Sequence, residues 1–455
     1  MKPNLFGSSG IRGEVGVNMT PSLAARIGSA VGTFSNAQNI VVARDTRVSG
    51  LMLENALVSG LLATGVKVRC LGVIPTPVLA YLTRELDTEA GVMITASHNP
   101  PQYNGIKVFS GDSMAYDEES QERVESIIER EAFRLADWRN VGTAMSSVES
   151  RRYVEMIEKS VKLSKKWHIV VDPGSGATYE LAPLILKKLN CNATTINAQP
   201  DGHFPGRSSE PNADSLKPLS RVVWELDAEM GIAYDGDGDR VAFIDEKGHF
   251  SSFDRALAAY AGYVTKKRGH GVVVTNVEAS MCVEKMVEAN GGKVVRTKVG
   301  DVCLSEAIKR HDALFGGEPC GAWIHPQFHY CPDGILSTVL LLKALEDEKS
   351  KLSDLITETP EYPTLRGSVP CKNESKYKVV ECAEKGLKSV FPTYKDFSKV
   401  DGVRLALENG WILVRASGTE PLIRLTVEGE SLKAAKEIVS EGVKLVKESV
   451  ERIDG

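Results

Sequence analysis

The 455-residue chain reads as an α/β protein: three similar α/β domains with mostly parallel mixed sheets, then a smaller C-terminal α+β domain. Three observations predict this. Length alone calls for three or four cores, at roughly 100–150 residues per domain. A pattern of strand, helix, strand, helix, strand recurs three times at a period of roughly 100 residues, which marks an internal repeat of crossover units. After Pro360 and Pro363 the pattern changes, and Asn409-Gly410 between two apolar runs signals a hairpin. The domains are placed at 1–150, 151–252, 253–365 and 366–455.

Taken in order, the first repeat begins with a strand at Asn39–Ala43, followed by Arg44-Asp45-Thr46-Arg47 and a helix over Leu51–Thr64. A second strand covers Val66–Cys70, and Pro75-Thr76-Pro77 opens a helix. The buried strand Gly91–Ile94 then delivers Thr95-Ala96-Ser97-His98-Asn99-Pro100. The second repeat starts at His168–Asp172, with Gly174-Ser175-Gly176 opening its helix. A strand near Ala193–Ile196, a Gly/Pro/Asn loop (200–214) and a helix follow, and Gly231–Tyr234 delivers Asp235. The third runs from Val272–Thr275 through Lys293–Val295 and a helix after Asp301, and Ala313–Phe315 delivers Gly316-Gly317-Glu318. Ligands of such sheets sit beyond the carboxyl ends of the strands, where Ser97, Asp235 and Glu318 fall once per repeat. Three equivalent loops can therefore converge on one cleft. In the last domain, strands near Leu365–Cys371, Val403–Leu407, Trp411–Val414 and Ile423–Val427 accompany a helix at Lys376–Val390. A closing helix lines one face with Leu432, Ala435, Val439, Val443, Val446, Val450 and Ile453.

An apolar fraction of 42% and a charged fraction of 25% describe an ordinary globular chain. A net charge of −5, with basic residues spread throughout, excludes a general attraction to nucleic acid or an anionic membrane. No leader pattern follows Met1-Lys2-Pro3 and no apolar run is long enough to cross a bilayer. The eight cysteines form no C-x-x-C pair, and scattered thiols suit a reducing cytoplasm. Monomer and homo-oligomer both remain open.

Several stretches carry chemistry, each with a plainer alternative. Ser97, at a strand end beside His98 and a short loop from Lys107, is a candidate nucleophile; otherwise the hexapeptide is a polar turn. Leu5-Phe6-Gly7-Ser8-Ser9-Gly10-Ile11-Arg12-Gly13 reads as a flexible loop, or as an amide nest with Arg12 aimed at an anion. Asp235-Gly236-Asp237-Gly238-Asp239-Arg240 is the most specific motif. Its three alternate carboxylates can turn toward one hard cation, the alternative being a solvated acidic turn. Arg240 stands where a calcium hand needs glycine, and Mg²⁺ suits a site that keeps places for phosphate oxygen or water. Arg415-Ala416-Ser417-Gly418-Thr419-Glu420-Pro421, with Arg424 beyond, offers hydroxyls, amides and guanidinium forks to a phosphate, or is a polar turn. Lys298 alone reads as a solvated lysine or a ligand contact.

In order, GSSGIRG, TASHNP, DGDGDR, GGE and RASGTEP closely resemble the motifs of the α-D-phosphohexomutases, and they run from Gly7 to Arg424. The resemblance implies four domains around a central cleft and interconversion of hexose or hexosamine 6-phosphate and 1-phosphate. It further implies a phosphoserine at Ser97, with Mg²⁺ held by Ser97, Asp235, Asp237 and Asp239, and a hexose 1,6-bisphosphate as intermediate and activator. His98, Lys107, Arg12 and Arg240 become proton-handling or charge-stabilising neighbours. Glu318 and Cys320 fall on the sugar-hydroxyl loop, Lys298 on a sugar-contacting loop, and Arg415, Ser417, Gly418, Thr419 and Arg424 on the phosphate loop. Many members read G-E-x-S-G-H where this chain has Gly317-Glu318-Pro319-Cys320-Gly321-Ala322. That altered loop resembles archaeal-type members acting on glucosamine phosphate; mannose or glucose phosphate is the alternative substrate. A Mg²⁺-dependent phosphatase or a silent sugar-phosphate binder would use the same residues differently.

Overall fold

Short Val/Ile/Ala-rich runs bounded by polar turns favour strands buried on both faces, and these runs become the centres of four sheets. The computed structural model describes residues 5–7, 9–417 and 421–454. The first sheet holds β1 (Ile11–Glu14), β2 (Asn39–Arg44), β3 (Lys67–Val73), β4 (Ala90–Ile94), β5 (Tyr103–Ser110) and β6 (Ala144–Ser146), ordered β1-β5-β4-β2-β3-β6. The second holds β7 (His168–Asp172), β8 (Asn192–Thr195), β9 (Met230–Tyr234) and β10 (Val241–Ile244), ordered β10-β9-β7-β8. The third holds β11 (Gly271–Asn276), β12 (Gly292–Thr297), β13 (Phe315–Gly317) and β14 (Trp323–Ile324), ordered β12-β11-β13-β14. The fourth is antiparallel: β15 (Thr364–Pro370), β16 (Asp396–Ser398), β17 (Val403–Ala406), β18 (Gly410–Ala416) and β19 (Leu422–Gly429), ordered β15-β19-β18-β17-β16.

The first three sheets share one plan. A central strand pairs in parallel with two neighbours: β2 with β3 and β4, β7 with β8 and β9, β11 with β12 and β13. An antiparallel strand then returns beside the third: β5 beside β4, β10 beside β9, β14 beside β13. These return strands are absent from the sequence reading, and they change the placement of two side chains. Lys107 lies on β5, opposite Met93 of β4, rather than beyond a loop. Arg12 lies on β1, opposite Gly105 of β5, rather than in a flexible loop. Arg415 also sits within a strand, β18, directly opposite Arg424 of β19. The expected helix over Lys376–Val390 is present with those bounds, and the one expected over Leu51–Thr64 spans Gly50–Ala63.

One apolar core runs through the first three units, joining Val41 and Met93 to Ile169 and Ile232 and to Val273 and Phe315. The fourth unit has its own core and meets the third through Val277, Trp411 and Leu413. There Trp411 Nε1 and the Met281 amide both donate to Glu428 Oε2, at 2.7 and 2.8 Å. The shared core holds a buried polar junction at Asp333. Asp333 Oδ2 accepts from Tyr153 Oη at 2.7 Å and lies 2.9 Å from His329 Nε2, while Oδ1 caps the helix Gly334–Glu348 through the Leu336 amide. Replacing Asp333 by Ala strips an N-cap and leaves Tyr153 without its acceptor. A loss on the order of 3 kcal/mol is expected from urea unfolding. Asp333→Asn, which keeps a carbonyl acceptor, is expected to lose less.

Candidate active site

The turns joining each third strand to its return strand, 95–102, 235–240 and 318–322, are the three loops the repeat pattern singles out. Pro100-Pro101 cannot continue β4, so the chain turns there. Ser97 is buried in that turn with a left-handed backbone, φ 51°. Its Oγ donates to Asp235 Oδ2 at 2.6 Å and lies 3.3 Å from His98 Nδ1.

The second loop brings three buried carboxylates together. Asp235, Asp237 and Asp239 each offer an oxygen within 4.8 Å of the others. The two glycines between them have separate reasons. A Cβ at Gly236 would stand 2.5 Å from the Ser97 carbonyl, and Gly238 has φ 79°. Asp235 Oδ1 accepts the amides of Gly238 and Arg240 at 3.0 and 3.2 Å, leaving Oδ2 to Ser97. Asp237 Oδ2 accepts from Thr76 Oγ1 at 2.5 Å and Lys107 Nζ at 2.9 Å, and Asp239 Oδ2 accepts from Lys107 at 2.6 Å. The Oδ1 atoms of Asp237 and Asp239 are buried without a hydrogen-bond partner. Buried carboxylate oxygens left bare beside one another fit a hard divalent cation, so this donor set could hold one.

The electrostatics follow from crowding. Burial, then the charges of Asp239 and Asp237, push the Asp235 carboxyl well above the usual range. Burial acts the same way on Asp237, but Lys107 and Thr76 outweigh it and hold this carboxyl below its ordinary value. Lys107 is buried, which disfavours its charge, yet Asp237 and Asp239 overcome that and keep it an ammonium. Burial, with Arg240 and Arg12 nearby, pushes His98 down to about 3, so its imidazole is neutral at physiological pH.

Of the remaining sequence-predicted residues, Arg12 donates to Asn99 Oδ1 at 2.8 Å, at the edge of the Ser97 loop. Arg240 bridges to the third loop through Ala322, and its charge, opposed by burial, is sustained by the carboxyl groups of Asp239, Asp235 and Glu318 around it. Glu318 Oε1 accepts from Asn276 Nδ2 at 2.8 Å and from the Gly300 amide at 2.9 Å, and burial raises its carboxyl. Burial pushes the Cys320 thiol up to about 12, so it stays neutral beside Arg240. Lys298 is exposed between β12 and the helix Asp301–Arg310. Arg415 pairs with Glu278 at 2.6 Å and lies 3.7 Å from Asp401; Ser417 is buried, and its carbonyl accepts from Lys376. Gly418 and Thr419 lie outside the described residues, as does Ser8.

Sequence reasoning assigned no role to Asp45, Arg47, Thr76, Thr95, Asn276 or Asp301, all buried or half-buried around these loops. Asp301 Oδ1 accepts from Ser9 Oγ at 2.9 Å and so ties the third unit to the N-terminal stretch. One signal was present. Asp45 and Arg47 follow the carboxyl end of β2, and Asn276 ends β11, where α/β sheets place ligand-facing groups.

Comparison with known proteins agrees with this architecture. The phosphoglucomutase/phosphomannomutase α/β/α domains I, II and III match residues 3–135, 151–248 and 252–362, and the C-terminal domain of that family matches 369–445. A probable phosphoglucosamine mutase of Pyrococcus abyssi is 42% identical over 98% of both chains. Another from Methanopyrus kandleri is 44% identical over 98% of this chain and 99% of its own. A Burkholderia thailandensis phosphoglucomutase/phosphomannomutase family protein superposes with a TM-score of 0.88 at 26% identity, covering 99% of this chain and 98% of that one. An Aspergillus fumigatus N-acetylphosphoglucosamine mutase, solved with GlcNAc-6P and magnesium, shares the fold with a TM-score of 0.59 at 15% identity over 98% and 96% of the two chains. With all four domains matched in order along nearly its whole length, the chain belongs to the phosphoglucomutase/phosphomannomutase family of phosphohexomutases.

Proposed function

We propose that this isomerase interconverts glucosamine 6-phosphate and glucosamine 1-phosphate, with Ser97 as the residue that carries the phosphoryl group. The observation that supports this most directly is the Ser97 hydroxyl, 2.6 Å from Asp235 at the mouth of three clustered carboxylates. The full-length archaeal relatives, named as probable phosphoglucosamine mutases, support the amino sugar.

The reaction balances as two transfers. The phosphoserine P–Oγ bond breaks as the free hydroxyl oxygen of the sugar phosphate bonds to phosphorus, giving a 1,6-bisphosphate. The proton of that hydroxyl passes to the departing Ser97 Oγ, which leaves as the serine hydroxyl, with His98 Nδ1 3.3 Å from Oγ as a proton-handling neighbour. The bisphosphate then turns end for end, and Ser97 Oγ takes its other phosphoryl group while the proton returns to the sugar oxygen left behind. Lys107, whose charge is held by Asp237 and Asp239, and Arg12 and Arg240 spread negative charge during transfer. Asp235, Asp237 and Asp239, with Ser97, would hold Mg²⁺, which supplies Lewis-acid neutralisation of the phosphoryl oxygens when bound. Glu318 orients sugar hydroxyls, with Cys320 and Lys298 shaping the same pocket. The phosphate loop (Arg415, Ser417, Gly418, Thr419 and Arg424) grips the distal phosphate on a unit with its own core, which suits a site that must release and rebind during reorientation. Free thiols at all eight cysteines accord with action in the cytoplasm.

Ser97→Ala is expected to abolish both turnover and labelling by hexose 1,6-bisphosphate while leaving the thermal midpoint within a few degrees; retained turnover removes Ser97 from the mechanism. Chelation is expected to stop the reaction and lower Tm, because the carboxylates then repel one another unscreened. A cation at about 100 times its Kd restores about 2.7 kcal/mol. A Tm indifferent to Mg²⁺ would argue against a cation there. In a coupled assay with a trace of bisphosphate, kcat/KM is expected to rank glucosamine phosphate above mannose and glucose phosphates. The opposite ranking keeps the chemistry and overturns the substrate, and steady release of free phosphate would indicate a phosphatase instead.

A further inference from the structure

Arg47 follows β2 and is buried beneath the Ser97 loop. A guanidinium has five N–H donors, and here all five are satisfied within the fold. Nε donates to Asp45 Oδ2 at 3.1 Å. One terminal nitrogen donates to the carbonyls of Pro100 and Tyr103 at 2.7 and 2.8 Å, and the other to those of Ser97 and Asn99 at 2.8 and 2.6 Å. Three carbonyls of the turn and that of Tyr103, where β5 begins, thus converge on a single side chain.

The other end of Ser97 is tied to the same ion pair. Its amide donates to Thr95 Oγ1 at 2.8 Å, and the Thr95 hydroxyl donates to Asp45 Oδ2 at 2.7 Å. Pinning both the N–H and the C=O of one residue leaves its φ little freedom. A serine at φ 51° sits in a region that costs about 1–3 kcal/mol and persists only where surrounding groups over-determine it. That backbone direction aims Cβ, and with it Oγ, at Asp235. The second unit seals the arrangement: Phe204 lies with its ring centroid 5.1 Å from the Arg47 guanidinium carbon, and Ser209 Oγ donates toward the His98 and Asn99 carbonyls at 2.8 and 2.9 Å.

We propose that Arg47 is a positioning residue for phosphoryl transfer, holding the Ser97 turn in its left-handed conformation so that Oγ stays aligned with the Asp235, Asp237 and Asp239 cluster. This rests on Ser97 being the phosphoryl carrier. Lysine cannot replace arginine here, because an ammonium offers three donors from one point while the four carbonyls and Asp45 need a planar fork.

The test is a rapid-quench measurement of phosphoryl transfer from hexose 1,6-bisphosphate to Ser97, followed by intact mass and counted per folded molecule. Wild type is compared with Arg47→Ala and Arg47→Lys. Misaiming a reacting atom by about 1 Å costs about 100-fold in rate, so kcat is expected to fall by about that factor in both variants, with KM moving only a few-fold. Guanidinium ion is expected to restore about tenfold or more to Arg47→Ala and nothing to Arg47→Lys. Wild-type transfer per folded molecule in either variant overturns the inference, as does a loss carried by KM alone or one that guanidinium leaves untouched. If the alanine variant does not fold, the lysine variant, which keeps a charge against Asp45, decides by its kcat. A wild-type protein that never becomes phosphorylated at Ser97 overturns the proposed carrier as well, whereas normal labelling with unimpaired Arg47 variants removes only the positioning role.

Discussion

Three carboxylates buried within a few ångströms of one another are the constraint on which this architecture turns. Asp235, Asp237 and Asp239 cannot all keep their charge in a water-poor pocket unless cations face them, and the chain supplies Lys107 and Arg240 from within. Lys107 reaches them because β5 returns antiparallel to β4, which carries a side chain of the first unit under a loop of the second. Bringing the loops this close requires Gly236, whose missing side chain leaves room for the Ser97 carbonyl. The bare Oδ1 atoms of Asp237 and Asp239 leave the charge incompletely answered by protein alone.

The three α/β units solve one positioning problem in related ways. In each, a polar residue at or just past the end of the central strand organises the loop leaving the third strand. Asp45 ties Ser97 through Thr95 and orients Arg47, which holds the Ser97 carbonyl. Asp172 at the end of β7 orients Arg207, which donates to the Tyr234 carbonyl just before Asp235 at 2.6 Å. Asn276 at the end of β11 donates directly to Glu318. Strands fix these anchors more tightly than loops could, so side chains with chemistry sit on turns yet keep defined directions. The shared core beneath the three units makes them one support, whereas the fourth keeps a separate core and meets the third through Val277, Trp411 and Leu413.

Much of this was legible in the chain. The repeat of apolar runs marks the three units, and the tight spacing of Asp235, Gly236, Asp237, Gly238 and Asp239 suits a cation. Ser97 stood out by its place at a strand end. The return strands were not legible for physical reasons. β5 begins with Tyr103-Asn104 one residue beyond Pro100-Pro101, and β14 is two residues long, too short for any period to show. β10, Val241-Ala242-Phe243-Ile244, had a readable apolar run that the acidic motif before it obscured.

What the sequence determined by itself was local: which segments alternate between strand and helix, where turns must fall, and which residue types could bind a metal or attack phosphorus. Side-chain chemistry and periodicity are properties of a few consecutive residues. What only the tertiary structure decided was company: Ser97 against Asp235 across 138 positions, Lys107 against Asp237 and Asp239 across 130 and 132, and Arg47 beneath the turn it holds. Those pairings depend on how strands order themselves in a sheet and how sheets pack on a common core, and long-range packing leaves no periodic trace in a single chain.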